Sequence, residues 1–339
     1  MTFKASDIPN LSGKVALVTG GNGGLGEISC RELSAHGAKV FMASRSESKA
    51  RDAIERIKKA HPDADVSFIE LDLTELASVK RAADQFNAAS DRLDILLNNA
   101  GVMATPYEFT KDGLELQMGT NVVAHYLLTM LLLPKLVKTS QLPEYQQGDA
   151  TVRVVQVSSM GHTMTRSRPD FTSLEGINKQ YAPEVRGTWT RYANSKLGNI
   201  LIADELKRML PESARISSLS LHPGVVNTGL LRGANQSYGS LLGSFFNLSS
   251  RLFFTHPDQG ALTQLYACTS PEVDGKKLSG SYFVPTAKLG SKSSIARDDD
   301  GSLAAELFRF CRGFVKDKAG IDVDQVLAEV DLKTPESHL

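Results

Sequence analysis

The chain has 339 residues, of which 41% are hydrophobic and 22% are charged, as in an ordinary globular protein. Lysine plus arginine equal aspartate plus glutamate at 38 each, so no net charge favours nucleic acid or an anionic membrane. The 3 cysteines are far apart, which predicts neither a disulfide framework nor a metal site and favours a reducing compartment, the cytoplasm. The polar start, Met1–Leu11, lacks the apolar core of a signal peptide.

A glycine-rich turn follows the first predicted strand. Lys14–Thr19 is a short apolar run rich in valine, and Glu27–His36 has the pattern of a helix. Between them, Gly20 permits a tight turn, Gly24 lets the backbone approach a pyrophosphate, and Gly26 lets the helix pack against the sheet. The helix N-terminus then faces the anion. Strand, glycine loop and helix together predict a dinucleotide-binding site.

The end of the second predicted strand, Lys39–Ala43, decides between cofactors. A site for NAD places a carboxylate here to bind the ribose 2′-hydroxyl, whereas this chain has Ser44 and then Arg45. A guanidinium binds a 2′-phosphate bidentately, and a hydrogen bond to a charged group contributes about 1.5–3 kcal/mol. Arg45 therefore predicts NADP(H). Lys49 either adds to the same phosphate site or is a solvated surface lysine.

Two further strand ends supply candidate cofactor residues. Val66–Leu71 is a predicted strand that runs into Asp72, which accepts a hydrogen bond from an adenine amino group, caps the helix that begins near Leu76, or does both. Leu93–Leu97 is the fourth predicted strand. It runs into Asn98–Gly101, small and polar residues that let the backbone approach a ligand.

A long apolar helix is predicted over Leu114–Leu133, closed by Pro134. Asn121 lies inside it, and burying an unpaired asparagine costs free energy. The side chain of Asn121 therefore either makes a packing hydrogen bond or binds a water that leads to Lys196.

Tyr192 and Lys196 are four residues apart and share one face of a predicted helix that ends at Leu210. A free phenol titrates near pH ~10 and holds its proton too tightly for acid–base work at neutral pH. An ammonium about 4 Å away, at an effective dielectric of ~20, stabilises the phenolate by roughly 4 kcal/mol, which brings its pKa close to neutrality. The other interpretation of the pair is a lysine that snorkels beside a half-buried tyrosine.

The remaining elements continue the alternation of strands and helices. Val152–Val157 is a valine-rich strand that ends in Ser158–Ser159, and Ile216–Leu221 is the sixth strand. An irregular stretch, 160–190, precedes the tyrosine helix, and a loose apolar stretch, 229–256, follows the sixth strand; we expect both to be substrate lids. The alternation predicts an α/β fold with a doubly wound parallel sheet and ligands at the carboxyl ends of its strands.

We divide the chain into three parts. An N-terminal arm covers 1–13, a nucleotide-binding and catalytic domain covers 14–285, and a C-terminal extension covers 286–339. The extension is expected to hold one amphipathic helix, over Leu303–Val315.

Five motifs follow one another along this pattern: Thr19–Gly26, Asp72, Asn98–Gly101, Ser159 with Tyr192 and Lys196, and Pro223-Gly224 with Thr228. In this order and spacing they resemble the short-chain dehydrogenase/reductase family. The resemblance covers most of the chain and implies a single Rossmann-like sheet flanked by helices. It is strongest to the retinol dehydrogenase-like and protochlorophyllide reductase-like branch, which includes many fungal members.

The resemblance implies a catalytic tetrad of Asn121, Ser159, Tyr192 and Lys196. Tyr192 would protonate a carbonyl oxygen as hydride arrives, or take the proton in the reverse direction, and Ser159 would donate a hydrogen bond to the same oxygen. Ser159 is chosen over Ser158 because it is the second serine of the pair in the family's pattern. Lys196 would lower the pKa of Tyr192 and bind the nicotinamide ribose, and Asn121 would hold a proton-relay water.

The same resemblance implies further cofactor contacts. Leu25 and Asn99 would line the cofactor, and Val225 and Thr228 would contact its nicotinamide end. An arginine directly after a serine at the end of the second strand, here Arg45, is typical of the NADP-preferring branch.

The chain departs from the family in one place, because Ser159 and Tyr192 are 33 positions apart. The excess, 163–188, should sit at the mouth of the active site, so a retinoid substrate does not follow from the resemblance. Methionine and aromatic side chains in the two lids either line the pocket, which predicts a lipophilic or aromatic substrate, or pack the lids onto the core. His162, near Ser159, either contacts the substrate or lies at the surface, and we expect the surface position. His222 is expected in the turn that follows the sixth strand.

The predicted function is NADP(H)-dependent interconversion of a ketone or aldehyde and an alcohol. The alternatives are a non-enzymatic NADP(H)-binding regulator or scaffold on the same fold, and an enzyme that reduces a carbon–carbon double bond. No transmembrane segment is expected, because the late apolar run Leu241–Phe254 is short and interrupted by polar residues. That run leaves peripheral membrane contact and a homo-oligomer open.

Overall fold

The computed structural model of the protein describes residues 2–224, 256–328, 330 and 332. The predicted nicotinamide contacts Val225 and Thr228 therefore lie outside the described residues, as does nearly all of the predicted lid 229–256.

One sheet of eight strands forms the centre of the described structure, in the order β3-β2-β1-β4-β5-β6-β7-β8. All neighbouring strands run parallel except β7 and β8, which are antiparallel. The predicted doubly wound, mostly parallel sheet is confirmed. The strands are β1 Val15–Thr19, β2 Lys39–Ser44, β3 Val66–Glu70, β4 Ile95–Asn98, β5 Val152–Val157, β6 Ile216–Leu221, β7 Tyr282–Val284 and β8 Lys288–Leu289.

Helices cover both faces of this sheet. Short 3₁₀ turns occupy Ala5–Asp7, Met160–Met164 and Glu212–Ala214. The other helices are α1 Gly24–Ala35, α2 Glu47–Ala60, α3 Leu76–Ala89, α4 Leu116–Ser140, α5 Pro143–Gln146, α6 Leu174–Ile177, α7 Glu184–Met209, α8 Pro257–Thr269, α9 Pro271–Gly275, α10 Ser294–Arg297, α11 Ser302–Ala319 and α12 Val323–Val326.

The side chains of β1 alternate between the two covered faces. Ala16 and Val18 pack with α1, α2 and α8, whereas Val15 and Leu17 pack with α3, α4 and α7. Every residue of β1 is buried, as expected for a central strand covered on both sides. The strand order reverses between β1 and β4, so a crevice for ligands opens at the carboxyl ends of these strands.

Helix α4 continues through Pro134, so its predicted end at Leu133 is wrong. Proline removes a backbone N–H and normally kinks or ends a helix. Here Leu133 and Leu136 are both fully buried, and this packing on either side keeps the helix intact. Although α4 is long and apolar enough to cross a membrane, 83% of its apolar window is buried inside the protein. We therefore assign α4 to the core.

The C-terminal extension contains more than the single helix expected. Strand β8 pairs with β7, so the sheet continues beyond residue 285 to Leu289. Helix α11 is longer than predicted and packs on α7 and α4. Phe308 of α11 meets the ring of Tyr126 edge to face, with 5.0 Å between ring centroids. The extension thus completes the core on the α7 side.

Candidate active site

The loop between β1 and α1 has the backbone geometry of a phosphate-binding turn. Gly20 and Gly24 adopt left-handed conformations, with φ of 67° and 54°. A Cβ on Gly26 would stand 2.2 Å from the carbonyl oxygen of Gly20, so only glycine allows this close approach. Leu25 is buried, and its carbonyl oxygen accepts a hydrogen bond from the Ser29 hydroxyl at 2.9 Å. The loop brings the N-terminus of α1 to the ligand end of the sheet, where its N–H groups can bind an anion.

Asn99 joins the carboxyl ends of β1 and β4. Its amide nitrogen donates to the carbonyl oxygen of Thr19 at 2.8 Å, and its backbone N–H donates to the Thr19 hydroxyl at 3.0 Å. Gln264 of α8 donates to the Asn99 side-chain oxygen at 3.4 Å. His125 Nε2 lies 2.9 Å from the Thr19 hydroxyl. The predicted cofactor residue Asn99 therefore also fixes the floor of the crevice.

The predicted adenosine end of the site holds two cations and one carboxylate. Arg45 follows β2 directly and is exposed, as is Lys49 in α2. The Ser44 hydroxyl is buried and has no hydrogen-bond partner among the described residues. Burial acts to raise the pKa of Asp72, but hydrogen bonds from Thr74 and the charge of Arg45 hold that pKa below its ordinary value. Asp72 is thus a carboxylate close to the predicted phosphate-binding arginine.

Asp72 does not cap α3. The N-cap position belongs to Glu75, and the Asp112 carboxylate accepts from the Leu76 N–H at 2.9 Å. Asp72 instead accepts from the backbone N–H and the hydroxyl of Thr74, at 3.0 and 2.8 Å. The capping interpretation is wrong because the carboxylate closes a turn that ends before the helix begins. The adenine contact stays a prediction.

Asn121 lies in a π-helical segment of α4, Gly119–Val123, and is fully buried. Its amide nitrogen donates to the carbonyl oxygen of Val102 and to the hydroxyl of Ser195, both at 2.9 Å. Its side-chain oxygen accepts from the Val102 N–H at 2.8 Å. The packing hydrogen bonds predicted as one alternative are therefore present. They connect Val102, in the segment after β4, to Ser195 of α7. The relay water at Asn121 stays a prediction.

The two serines after β5 have different neighbours. The buried hydroxyl of Ser158 donates to the carbonyl oxygen of Lys196 at 2.6 Å. The hydroxyl of Ser159 accepts from the Gly161 N–H at 3.0 Å and lies close enough to the phenol of Tyr192 to lower its pKa. Ser158 is thus committed to the backbone of α7, and Ser159 is the serine beside the candidate catalytic tyrosine.

Tyr192 is almost fully buried, and this determines its acidity. Burial raises the pKa of Tyr192 to about 12, against the lowering effect of its hydrogen bond with Ser159. The Nζ atom of Lys196 lies 6.0 Å from the centroid of the Tyr192 ring. The expectation that this ammonium brings the pKa of the phenol near neutrality is wrong for the protein by itself, because burial of the phenol opposes its ionisation.

Two acceptors hold the side chain of Lys196. Its Nζ donates to the carbonyl oxygen of Val157 at 2.9 Å and to the side-chain oxygen of Asn199 at 3.3 Å. Burial lowers the pKa of Lys196 to about 7. The lysine can therefore gain or lose a proton near neutral pH, which suits a proton relay beside Tyr192.

Two further histidines near the site, His162 and His222, are also buried. The surface position expected for His162 is wrong, because it is 1% exposed. Its Nδ1 lies 2.7 Å from the Ser159 carbonyl oxygen, and its Nε2 accepts from the Ser293 N–H at 3.2 Å. His222 lies in the turn after β6, as expected, where its Nδ1 accepts from the Gly224 N–H at 3.2 Å.

Comparison with known proteins identifies the family. The family model for short chain dehydrogenases matches residues 14–168. An uncharacterised oxidoreductase of Schizosaccharomyces pombe is 40% identical over 313 residues, which cover 92% of this chain and 88% of the relative. The chain belongs to the short-chain dehydrogenase/reductase family. A second short-chain dehydrogenase/reductase, from Armillaria gallica, is 40% identical over 303 residues, with 89% of each chain covered.

Two solved structures share the fold of this short-chain dehydrogenase/reductase. An uncharacterised protein of Mycobacterium paratuberculosis is 31% identical with a TM-score of 0.68, over 93% of this chain and 98% of that one. A Pseudomonas aeruginosa protein, described as an NADP active-site complex, is 23% identical with a TM-score of 0.61, over 82% and 96% of the two chains. The predicted oxidoreductase class and Rossmann-like fold are confirmed.

Short-chain dehydrogenase/reductases bind a nicotinamide cofactor, and the residues of this chain fit one. A Cβ on Gly23 would meet no atom of the described residues within 4 Å, so the glycine loop is open on that side. A Cβ on Gly101 would stand 3.1 Å from Asn121 Oδ1 and 3.4 Å from Lys196 Nζ. Glycine at this position keeps the approach to the lysine clear.

The sequence predictions for this short-chain dehydrogenase/reductase omit two residues that shape the site. A Cβ on Gly161 would stand 2.9 Å from Tyr192 Cε1 and 3.3 Å from Ser159 Oγ. Asn199 holds Lys196 and donates to the carbonyl oxygen of Asn121 at 2.7 Å. Spacing could have found Asn199, which follows the lysine by three residues and shares its helix face. Local sequence does not mark Gly161, whose contact depends on the 3₁₀ turn after Ser159.

Proposed function

We propose that the protein is an NADP(H)-dependent oxidoreductase that interconverts a ketone or aldehyde and an alcohol, with Tyr192 as the general acid–base. The observation that carries the proposal is the cluster at the carboxyl end of β5. There the Ser159 hydroxyl meets the Tyr192 phenol, and Lys196 is held one turn further along the same helix. A hydroxyl, a phenol and a lysine in this order can bind a carbonyl oxygen and exchange a proton with it.

The nicotinamide, when bound, supplies or accepts the hydride. Ser159 donates a hydrogen bond to the substrate oxygen and orients it toward the tyrosine. Because burial keeps the phenol of Tyr192 protonated, it is ready to protonate the oxygen as negative charge develops there. Lys196 is buried with a pKa of about 7, so it can return a proton to Tyr192. In the alcohol-oxidising direction the same groups work in reverse, with Tyr192 accepting the alcohol proton.

The preference for NADP(H) is supported by the end of β2. No carboxylate occupies the position after this strand, where Ser44 is followed by the exposed Arg45. The Ser44 hydroxyl is buried without a described partner, so it is free to bond a ligand oxygen. A planar guanidinium suits the 2′-phosphate that distinguishes NADP from NAD. Lys49, also exposed, adds a second positive charge in the first turn of α2.

A lipophilic or aromatic substrate is supported by the side chains around Ser159 and Tyr192. Met160 and Met164, in the turn that follows Ser159, are exposed by 54% and 43%. The ring of Trp189 stands edge to face with Tyr192, with 6.2 Å between ring centroids. Exposed methionines offer adaptable apolar contacts.

We place the protein in the cytoplasm, which the three buried free thiols support.

The experiment that tests the proposal follows NADPH oxidation with aldehydes, aromatic ketones, steroids, quinones and enones, each repeated with NADH. Turnover of simple ketones or aldehydes, faster with NADPH, is the expected result. Turnover of enones alone would replace the carbonyl reaction with reduction of a carbon–carbon double bond. Tight NADPH binding with no turnover across the panel would favour a regulator or scaffold.

A further inference from the structure

Arg191, the residue before Tyr192, is the bulkiest fully buried side chain among the described residues. Its side chain is 1% exposed, although a guanidinium is always charged. A buried charge requires partners on every side. The polar partners of Arg191 are Glu115 and the end of the insertion, which runs into the first turns of the same helix, and its guanidinium also lies 5.1 Å from the centroid of the Tyr107 ring.

The first partner is Glu115, at the start of α4. Arg191 Nε lies 3.3 Å from Glu115 Oε1, and the glutamate side chain is completely buried. The other carboxylate oxygen of Glu115 accepts from the N–H groups of Gln117 at 3.1 Å and Met118 at 2.9 Å. Glu115 therefore caps the helix turn that leads directly into the π segment with Asn121. The pair ties the helix that carries Tyr192 to the helix that carries Asn121.

The second set of partners lies in the insertion between Ser159 and Tyr192. Arg191 Nη2 contacts Glu184 Oε1 at 2.6 Å and donates to the Thr188 hydroxyl at 3.1 Å. Arg191 Nη1 donates to the carbonyl oxygen of Gln180. One planar group thus binds the last third of the insertion at three points, two of them in the first turns of α7 and one, Gln180, before the helix begins.

The insertion is also fastened to the segment that precedes α4. The side-chain oxygen of Asn178 accepts from the Glu115 N–H at 2.7 Å, and its amide nitrogen donates to the Gly113 carbonyl oxygen at 2.9 Å. Gln117 donates to the Thr188 carbonyl oxygen at 3.1 Å. Arg191 is therefore the centre of a polar network that joins the insertion, α4 and α7.

We propose that Arg191 is a positioning residue, which sets the phenol of Tyr192 relative to Asn121 and holds the insertion as a fixed wall of the substrate site. The inference rests on the proposed function, because it assigns Arg191 to the same reaction. The polar contacts of Arg191 are with Glu115 and the insertion, and through them it acts on the position of Tyr192. A displacement of about 1 Å at a catalytic group can lower a rate about a hundredfold.

The test compares Arg191→Lys with Arg208→Lys as a matched control. Lysine keeps a positive charge near Glu115 but cannot replace the planar fork that reaches Glu184, Thr188 and Gln180. Arg208 lies on the same helix, where it contacts Glu205 at 2.9 Å and the Asp298 carbonyl oxygen at 3.3 Å. It is remote from the tyrosine in sequence and belongs to a different network.

Three quantities are measured for each variant: kcat for carbonyl reduction, Kd for NADPH, and amide hydrogen exchange over 174–192. Arg191→Lys is expected to lower kcat about ten- to hundredfold, to change the NADPH Kd by less than about twofold, and to speed exchange in the insertion. Its pH profile for alcohol oxidation should move to higher pH, because a displaced Tyr192 moves away from Ser159, which lowers its pKa. Arg208→Lys is expected to match the parent in kcat and in exchange over 174–192.

A kcat of folded Arg191→Lys within about twofold of the parent, or a loss that Arg208→Lys shares, would overturn the proposal. If Arg191→Lys does not fold, Glu184→Gln serves instead, because Glu184 is 44% exposed and contacts the guanidinium from its outer side. It is expected to speed exchange over 174–188, and unchanged exchange would equally overturn the proposal. If the parent binds NADPH but turns over no carbonyl, the proposed function fails, while hydrogen exchange still decides whether Arg191 fixes the insertion.

Discussion

The side-chain oxygen of Asn199 accepts a hydrogen bond from Nζ of Lys196 at 3.3 Å. The amide nitrogen of the same side chain donates to the carbonyl oxygen of Asn121 at 2.7 Å. One buried amide therefore orients the candidate catalytic lysine and joins α7 to the π segment of α4. Asn199, which is not a member of the predicted tetrad, therefore connects two of its members, Asn121 and Lys196.

Replacing Asn199 by alanine removes both hydrogen bonds. We expect Asn199→Ala to lower kcat by about tenfold or more and to cost about 1–3 kcal/mol of stability, because buried polar groups lose their partners. Asn199→Asp keeps an acceptor for Lys196 and should retain more activity than Asn199→Ala. Steady-state kinetics and urea unfolding check both. Equal kcat in the two variants and the parent would show that Asn199 does not position the lysine.

Gly161 allows the turn after Ser159 to pass close to the tyrosine ring. In Gly161→Ala the new Cβ would stand 2.9 Å from Tyr192 Cε1, so the ring or the turn must move. We expect kcat to fall about tenfold or more, with NADPH affinity unchanged. Gly148→Ala is the control, because its Cβ would meet no described atom within 4 Å. A kcat of Gly161→Ala equal to that of the parent would contradict the prediction, because it would mean that the site tolerates movement of the Tyr192 ring or of the turn.

Arg45 should discriminate between the two nicotinamide cofactors. Arg45→Ala is expected to weaken NADPH binding about ten- to hundredfold and to leave NADH binding unchanged, since only NADPH has the 2′-phosphate. Lys59→Ala, which removes an exposed positive charge at the far end of α2, controls for net charge. Fluorescence titration with each cofactor gives the comparison. An equal loss for NADPH and NADH would reject the role of Arg45.

Buried histidines should make stability depend on pH. Burial lowers the pKa of His125 to about 4 from an ordinary value of 6.5, and it lowers the pKa of His222 to about 4 as well. As pH falls from about 6.5 to about 4, the unfolded chain binds protons that the folded chain does not, so stability is lost over this range. Each histidine contributes a slope of up to about 1.4 kcal/mol per pH unit.

Urea unfolding at several pH values between neutrality and pH ~4 measures this slope. His125→Gln is expected to reduce the slope, whatever its effect on stability at neutral pH. His256→Gln is the control, because the His256 side chain is 71% exposed. If His125→Gln keeps the full slope of the parent, the buried histidine is not its source.

The sequence predicts well those features that depend on residues close together in the chain. The bounds of β5 are the predicted ones, because valines occupy four of its six positions and β-branched residues favour strands. The glycine loop also follows from local pattern, since strand, glycines and helix are consecutive. Tyr192 and Lys196 share a helix face because four residues make about one turn.

Features that depend on distant partners could not be predicted in the same way. His162 is buried and accepts a hydrogen bond from the N–H of Ser293, which is 131 residues away. The pKa of Tyr192 is raised because the assembled fold buries the phenol. The spacing of Tyr192 and Lys196 in the sequence gives no information about this burial. Helix α4 passes through Pro134 because the core holds both flanking turns, and this overrides the local preference of proline.

The most direct test of the account is Tyr192→Phe, assayed with NADPH and the best carbonyl substrate of the panel. This change removes one oxygen atom and keeps the ring that packs against Trp189 and Gly161. We predict that kcat falls by about 10²–10⁴-fold, the range that general acid–base catalysis contributes, while the Kd for NADPH changes by less than about twofold. Residual activity within about tenfold of the parent would contradict the assignment of Tyr192 as the proton donor.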